Sequence, residues 1–269
     1  MFSINPFAAL WASLSPALMQ AYVVLMVVLV IAGTLFDVVH KGSAKYFFQN
    51  MKAKAKRAKP LGGGELVSIA VQTAVVDVLA SGEFCNPRRR IAHLLGMYGF
   101  VLYVLATAVL VFDTSAAAIW TQLWWLGALM ICVGGYWFWF FIRVDVAAEG
   151  RSPLRFVQAD LFILSLLASA TLGLAWAAAG GGAGVLFGLY LLATTVLFAG
   201  VPWSKFAHMF FKPAAAFEKR IAKADGTAEN LPTQTRDDPE QQKRHSMELL
   251  QNAPMDMGLG IKREAPRHY

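Results

Sequence analysis

Charged residues and cysteines are scarce in this chain, and both shortages restrict its class. Only 15% of the 269 residues are charged, whereas 57% are hydrophobic, which leaves too little polar surface to cover a water-soluble globule of this length. The two cysteines, Cys85 and Cys132, have no metal-ligand spacing. The sequence also lacks a Walker loop, a GxGxxG fingerprint, a nucleophile elbow, a His-Glu-x-x-His motif and the midplane carboxylates of proton-driven carriers.

The hydrophobic residues that are present occur in blocks long enough to cross a membrane. A helix needs about 20 apolar residues to cross a hydrocarbon core of roughly 30 Å. Five blocks approach this length, and we predict them as spans over residues 17–39, 91–112, 119–142, 157–178 and 183–201. The predicted fold class is therefore an all-α membrane protein built as a five-helix transmembrane bundle.

The 24 lysines and arginines all lie on one side of this bundle. They fall in the segments 41–90 and 143–155 and from residue 205 onward, whereas the alternate segments contain none. Under the positive-inside rule the cation-rich segments are cytoplasmic, which places the N-terminus outside and the C-terminus inside. The net charge of +7 is thus explained by membrane topology, and no nucleic-acid partner is expected.

The chain divides by composition into a transmembrane bundle, residues 1–212, and a cytoplasmic tail, residues 213–269. Within the bundle the loop 41–90 is predicted to carry two interfacial cytoplasmic helices, over 41–59 and 65–79, that contact membrane lipid. The second is too short to span the membrane comfortably. If it were counted as a span, the cations before and after it would lie on opposite sides of the membrane. The tail begins as a helix and becomes polar beyond Gly226.

Three glycines at four-residue spacing, Gly180, Gly184 and Gly188, form a small-xxx-small pattern beside the last predicted span. Such a pattern favours close helix packing.

Three of the five histidines lie near predicted helix ends at one membrane face. They are His40 after the first span, His93 at the start of the second and His208 after the fifth. Two imidazoles on different helices can ligate a b-type haem. Only two of the three can serve one iron, and their positions alone do not choose between His40, His93 and His208.

Other residues at the same level are compatible with a haem. Gly96 follows His93 by one turn on the same helical face, where a missing side chain lets a porphyrin approach the backbone. The cations Arg89, Arg90 and Lys205 are placed to pair with propionates. A histidine or arginine at a helix end is also an ordinary interfacial residue and topology anchor.

Two stretches carry a resemblance to a known family. Residues 202–213, Pro-Trp-Ser-Lys-Phe-Ala-His-Met-Phe-Phe-Lys-Pro, resemble the end of the last helix in nitrate reductase gamma subunits, where a Pro-x-[Ser/Thr]-[Lys/Arg]-x-x-His block supplies a haem ligand. Residues 89–100, beginning Arg-Arg-Ile-Ala-His, resemble the start of a haem-binding helix in related membrane cytochromes b, including that of the quinone-interacting membrane-bound oxidoreductase. With its tail 257–269, the whole chain is most similar to membrane anchors associated with adenylylsulfate reductase in sulfur bacteria.

The resemblance implies a multi-pass protein of the bacterial inner membrane that does not itself form covalent bonds in a substrate. It would relay electrons between membrane quinone and a cytoplasmic flavin and iron-sulfur enzyme, adenylylsulfate reductase alpha/beta or a similar protein. The family has haem ligands on its second and last helices, which favours His93 with His208 as the ligand pair and leaves His40 as the alternative. The place of the family's further ligand falls near Tyr190, so one haem b is the most that is expected.

Three functions remain open from the sequence: a haem-bearing redox-relay subunit, a haem-free structural anchor that only recruits the reductase, and an unrelated small membrane protein. The positions of quinone ligands are not predicted.

Overall fold

The computed structural model describes residues 2–40, 45, 49, 61–82, 84, 87–143, 154, 156–204, 206 and 208–227. Within these residues all regular structure is helical and no strand occurs. The all-α fold class is therefore confirmed. The predicted helix over 41–59 and the tail beyond residue 227 lie outside the described residues.

Seven α-helices are described in this part of the chain. They are α1 Pro16–Val39, α2 Gly63–Gln72, α3 Pro87–Phe112, α4 Ala118–Trp137, α5 Leu161–Ala178, α6 Val185–Ala199 and α7 His208–Ala224. Wider π-helical turns continue α2 over Thr73–Leu79 and α4 over Phe138–Ile142, and short 3-10 turns cover Ala8–Ala12, Gln158–Asp160 and Val201–Trp203.

The helix ends follow local chemistry. Ser15 precedes α1, its hydroxyl accepts a hydrogen bond from the Leu18 N–H at 3.4 Å, and Pro16 occupies the first helical position. Both features are typical of helix starts. The C-terminal end of α5 is followed by Gly180 and Gly181, whose backbone φ angles are +99° and +76°. Residues with a side chain adopt such positive φ angles only at a cost in free energy.

Four of the predicted spans have helices that are long and apolar enough to cross a membrane: α1, α3, α4 with its π-helical continuation, and α5. The fifth differs, because α6 contains only 15 residues, about 22 Å at 1.5 Å per residue. Glycines before it and Gly200 and Pro202 after it end the helix early. A multi-pass membrane protein is thus indicated, while the fifth span and the orientation stay predictions.

The chain forms two compact units. Unit 1 contains residues Met1–Lys45, Ile91–Phe140 and Phe156–Phe210, and unit 2 contains Tyr46–Arg90, Phe141–Arg155 and Phe211–Tyr269. In unit 2 the predicted helix over 65–79 is present as α2 and its π-helical continuation.

In unit 1, α3 and α4 approach each other closely enough for backbone contact. A Cβ atom at Gly99 would lie 2.8 Å from the Gly127 carbonyl oxygen, and one at Gly127 would lie 2.7 Å from the Tyr103 nitrogen. Gly134 makes a similar approach to the Ala92 carbonyl at 2.8 Å. Since real Cβ atoms do not sit at such distances, these glycines are required for the α3–α4 contact, as small residues are in membrane helix pairs.

The predicted packing role of Gly180, Gly184 and Gly188 is wrong within the described chain. A Cβ atom at any of the three would meet nothing within 4 Å. Gly180 serves the turn after α5, and Gly188 lies on an exposed side of α6. Residue size alone did not reveal which helix faces meet.

Unit 2 is held by a charged contact between α7 and the π-helical turn after α2. Arg220 donates to both carboxylate oxygens of Asp77, from Nε at 2.5 Å and from Nη2 at 2.9 Å. Its Nη1 also donates to the Gln72 side chain at 3.2 Å. Lys212 lies 5.6 Å from the centre of the Phe84 ring. The start of the tail is thus helical, as predicted, and attached to α2.

We predict that Gly127→Ala destabilises the protein by about 1–3 kcal/mol, because overpacking forces the two backbones apart. The matched control is Gly188→Ala, which adds the same methyl group to an open helical position and should be neutral or stabilising by up to about 1 kcal/mol. Thermal unfolding of the purified protein in detergent measures both. Equal effects of the two substitutions would contradict the proposed helix contact.

We also predict a coupling of about 1 kcal/mol between Asp77 and Arg220. It is measured by amide hydrogen exchange of α7 in Asp77→Asn, Arg220→Gln and the double variant.

The Arg220 hydrogen bond holds the pKa of the Asp77 carboxyl below its ordinary value. A carboxyl with a lowered folded-state pKa stabilises the fold at neutral pH. This contribution should be lost as the pH falls below about 4, through the folded-state pKa. Additive effects of the two substitutions at pH 7 would show that the pair is energetically silent.

Candidate functional site

The predicted histidines all belong to unit 1, and two of their side chains are described. His93 lies in the second turn of α3 with its side chain exposed. His40 follows the last residue of α1, is exposed and stacks on Phe36 with ring centroids 4.7 Å apart. His208 is the first residue of α7, and its side chain lies outside the described part. The structure therefore leaves the choice of a ligand pair untested.

Gly96 lies one turn after His93 and is open on its side-chain side. A Cβ atom placed there would meet no atom within 4 Å, although neighbouring Gly99 is tightly packed. This open space is compatible with a flat macrocycle beside His93, and a haem there stays a prediction.

The predicted propionate partners are placed as follows. Arg89 is half-buried on α3. The Nε of Arg90 donates to the Ala80 carbonyl at 2.7 Å, so part of this guanidinium fixes the loop after α2. Both arginines belong to unit 2, and Lys205 lies outside the described residues. A haem role for these cations stays a prediction.

A groove of about 290 Å³ runs through unit 1 between α1, α3 and α6. Its walls are almost entirely apolar side chains, including Met19, Val23, Phe100 and Leu197. Val27 and Ile31 of α1 also line it, and both are more than half exposed, at 53% and 56%. The groove therefore reaches the outside of the unit, on a side where a membrane-spanning α1 would meet lipid.

The groove and the predicted haem residues share a face of α3. Phe100, Val104 and Thr107 line the groove, and the same three- and four-residue spacing continues back to Gly96 and His93. Neither His40 nor His93 lines the groove itself. Sequence analysis did not find this groove, because apolar residues face both lipid and protein in a spanning helix.

A phenylalanine cluster lies at one end of the groove. Phe206 is 2% exposed, and four other rings surround it with centroids 5.1–6.2 Å away: Phe100, Phe162, Phe198 and Phe210. The interior next to the start of α7 is thus occupied by side chains.

The other end of unit 1 is closed by aromatic packing around Tyr190. The Trp176 ring stacks on Tyr190 with centroids 5.6 Å apart and also contacts Phe7 and Phe187, each at 5.2 Å. The Asn5 side-chain amide donates to the Leu110 carbonyl at 2.9 Å, which ties the N-terminal segment to the end of α3. Tyr190, the residue near which the family's further haem ligand would fall, is therefore part of a packed aromatic core.

Several hydroxyl groups project into the apolar groove wall, and most are hydrogen-bonded. Thr107 Oγ1 donates to the Tyr103 carbonyl at 2.7 Å and accepts from Trp124 Nε1 at 3.0 Å. Ser169 Oγ lies 2.9 Å from Thr194 Oγ1, which donates to the Tyr190 carbonyl at 2.8 Å. The buried Tyr103 hydroxyl makes no hydrogen bond within the described residues, and the Tyr190 hydroxyl is one of its polar neighbours.

Among the residues that the structure describes, no group of three or more His, Cys, Asp or Glu side chains could hold a metal ion. Haem iron needs only two axial protein ligands. The finding therefore concerns bare-metal sites and leaves the haem prediction untested.

No protein-family model, curated protein or solved structure matches the chain. Its class therefore follows from its own helices: a multi-pass membrane protein. The similarity to cytochrome-type anchors stays an expectation drawn from the sequence.

Proposed function

We propose that this protein is the membrane anchor and electron-transfer subunit of a cytoplasmic adenylylsulfate reductase, or of a similar iron-sulfur flavoprotein, in the bacterial inner membrane. It would link that enzyme to the quinone pool through one b-type haem near the cytoplasmic face. The observation that supports this most directly is the exposed His93 with open space at Gly96 one turn further along α3.

The haem would be held by His93 and His208, with His40 as the alternative ligand. A bound haem b supplies one-electron chemistry. The protein's own contribution is to position two imidazoles and to leave Gly96 free of a side chain. His40 is the weaker candidate, because its ring stacks on Phe36 with centroids 4.7 Å apart.

A haem-free anchor is the second candidate, and one feature favours it. Phenylalanine rings pack around Phe206 where the chain approaches His208, and neither His40 nor His93 lines the groove inside unit 1. In this function the protein recruits the reductase without carrying electrons. The haem measurement below distinguishes the two candidates.

Both candidates need a surface that binds the soluble enzyme, and α7 offers one. Lys212, Lys219 and Lys223 recur at seven- and four-residue spacing on one face of the helix and are exposed, with the small buried Ala216 between them on that face. The Arg220 contact with Asp77 holds this helix in unit 2. A row of exposed lysines attracts an acidic partner over distances of about a Debye length.

We expect the purified, dithionite-reduced protein to show a b-type alpha band that is lost in His93→Ala and in His208→Ala. Gly96→Leu should also remove the band, because the larger side chain fills the space beside His93. The matched control, Gly188→Leu, adds the same side chain at another open helical glycine and should retain it. A featureless spectrum from a correctly folded wild-type protein would leave only the anchor function.

For the docking surface, we expect the double variant Lys219→Glu, Lys223→Glu to release the reductase from membranes into the soluble fraction at moderate ionic strength. The charge-conserving control, Lys219→Arg with Lys223→Arg, should retain it. Sedimentation of membranes with the reductase measures both. Full retention of the enzyme by the glutamate variant would show that α7 is not the contact surface.

A further inference from the structure

The groove of unit 1 contains one buried polar group whose hydrogen-bonding capacity is unused. The Tyr103 side chain lines the groove and is 5% exposed. Its hydroxyl makes no hydrogen bond within the described residues. An unpaired buried hydroxyl is costly, and such groups in a folded protein call for a partner.

The neighbouring groups determine what kind of partner this is. Thr194 uses its hydrogen on the Tyr190 carbonyl, so Ser169 must donate to Thr194 in the contact between them. Thr107 likewise uses its hydrogen on the Tyr103 carbonyl. The Tyr103 hydroxyl therefore keeps a hydrogen to donate, with the Tyr190 hydroxyl beside it, and the matching ligand atom is a hydrogen-bond acceptor such as a carbonyl oxygen.

The lining and length of the groove indicate the chemistry of the rest of the ligand. The walls are apolar, and the α1 residues that line them run from Met19 to Ile31, a rise of about 18 Å at 1.5 Å per residue. The exposed side chains of Val27 and Ile31 border the groove where α1 would face lipid. A molecule that enters from the membrane and carries an extended apolar portion suits this shape.

We propose that this groove binds a carbonyl-bearing lipid-phase molecule whose carbonyl oxygen accepts a hydrogen bond from Tyr103. Two membrane components share this chemistry: the ring carbonyl of an isoprenoid quinone and the ester carbonyl of a phospholipid acyl chain. The proposal does not depend on haem, because its readout is ligand binding and needs no electron transfer.

The test is equilibrium binding to the purified full-length protein in detergent, with two probes titrated separately. The first probe is decylubiquinone and the second is a phosphatidylcholine spin-labelled on one acyl chain. Trp124 is a built-in reporter, since its ring lies 5.2 Å from that of Tyr103, and both probes quench tryptophan fluorescence. Saturable quenching by decylubiquinone assigns the site to quinone, and saturable quenching by the phospholipid alone assigns it to lipid.

Tyr103→Phe removes the donor and preserves the ring, so it should weaken binding of the recognised probe about three- to tenfold. The matched control is Tyr136→Phe. Its hydroxyl lies 2.8 Å from Thr171 Oγ1, and it does not line the groove. Val27→Trp fills the groove from its exposed border and should abolish saturable binding. The proposal is overturned if neither probe saturates, or if Tyr103→Phe binds as tightly as Tyr136→Phe.

Discussion

The backbone contact between α3 and α4 is the constraint on which the rest of unit 1 depends. It exists only because Gly99 and Gly127 have no side chains, and it fixes the rotation of α3 about its own axis. That rotation decides which residues of α3 face the groove and which face α4. His93, Gly96 and Tyr103 all lie on this one helix, so each candidate binding feature is set by the same contact.

Around this contact, most polar side chains of unit 1 are hydrogen-bonded to other groups of the protein, as expected where water is absent. Hydroxyls of Thr107, Thr194 and Thr195 donate back to carbonyls of their own helices at 2.7–2.8 Å. Tyr22 reaches across from α1 to Thr195 of α6 at 3.0 Å. A polar group that cannot find a partner inside an apolar unit costs several kcal/mol in hydrocarbon. The Tyr103 hydroxyl departs from this pattern, as do Thr34 Oγ1 and Trp125 Nε1, which are also buried without a hydrogen-bond partner within the described residues.

The helices were predictable from the sequence, and their contacts were not. Block length alone located α1, α3, α4 and α5, because a long apolar run has few other uses. In a spanning helix, however, lipid-facing and protein-facing sides are equally apolar, so periodicity does not show which side packs. For that reason the pattern at Gly180, Gly184 and Gly188 suggested packing where there is none, while Gly99 and Gly127, on different helices, gave no visible signal.

Only the part of the candidate site that lies on a single helix was predictable from the sequence. His93 and Gly96 share a face by simple helical spacing, and Gly96 is open on its side-chain side, while haem binding there stays a prediction. The groove and the role of Tyr103 depend on residues from α1, α3 and α6, far apart in the chain, and no local pattern indicates them. Tyr190, near which the resemblance places a further haem ligand, proved to be part of the aromatic packing that closes one end of the unit.

Haem content per polypeptide tests the proposed function most directly. The measurement is a pyridine haemochrome assay, combined with protein quantification, on the full chain purified from a host that supplies haem. The electron-transfer function predicts about one haem b per chain. A folded, membrane-inserted protein that binds no haem b would contradict it and leave a structural anchor.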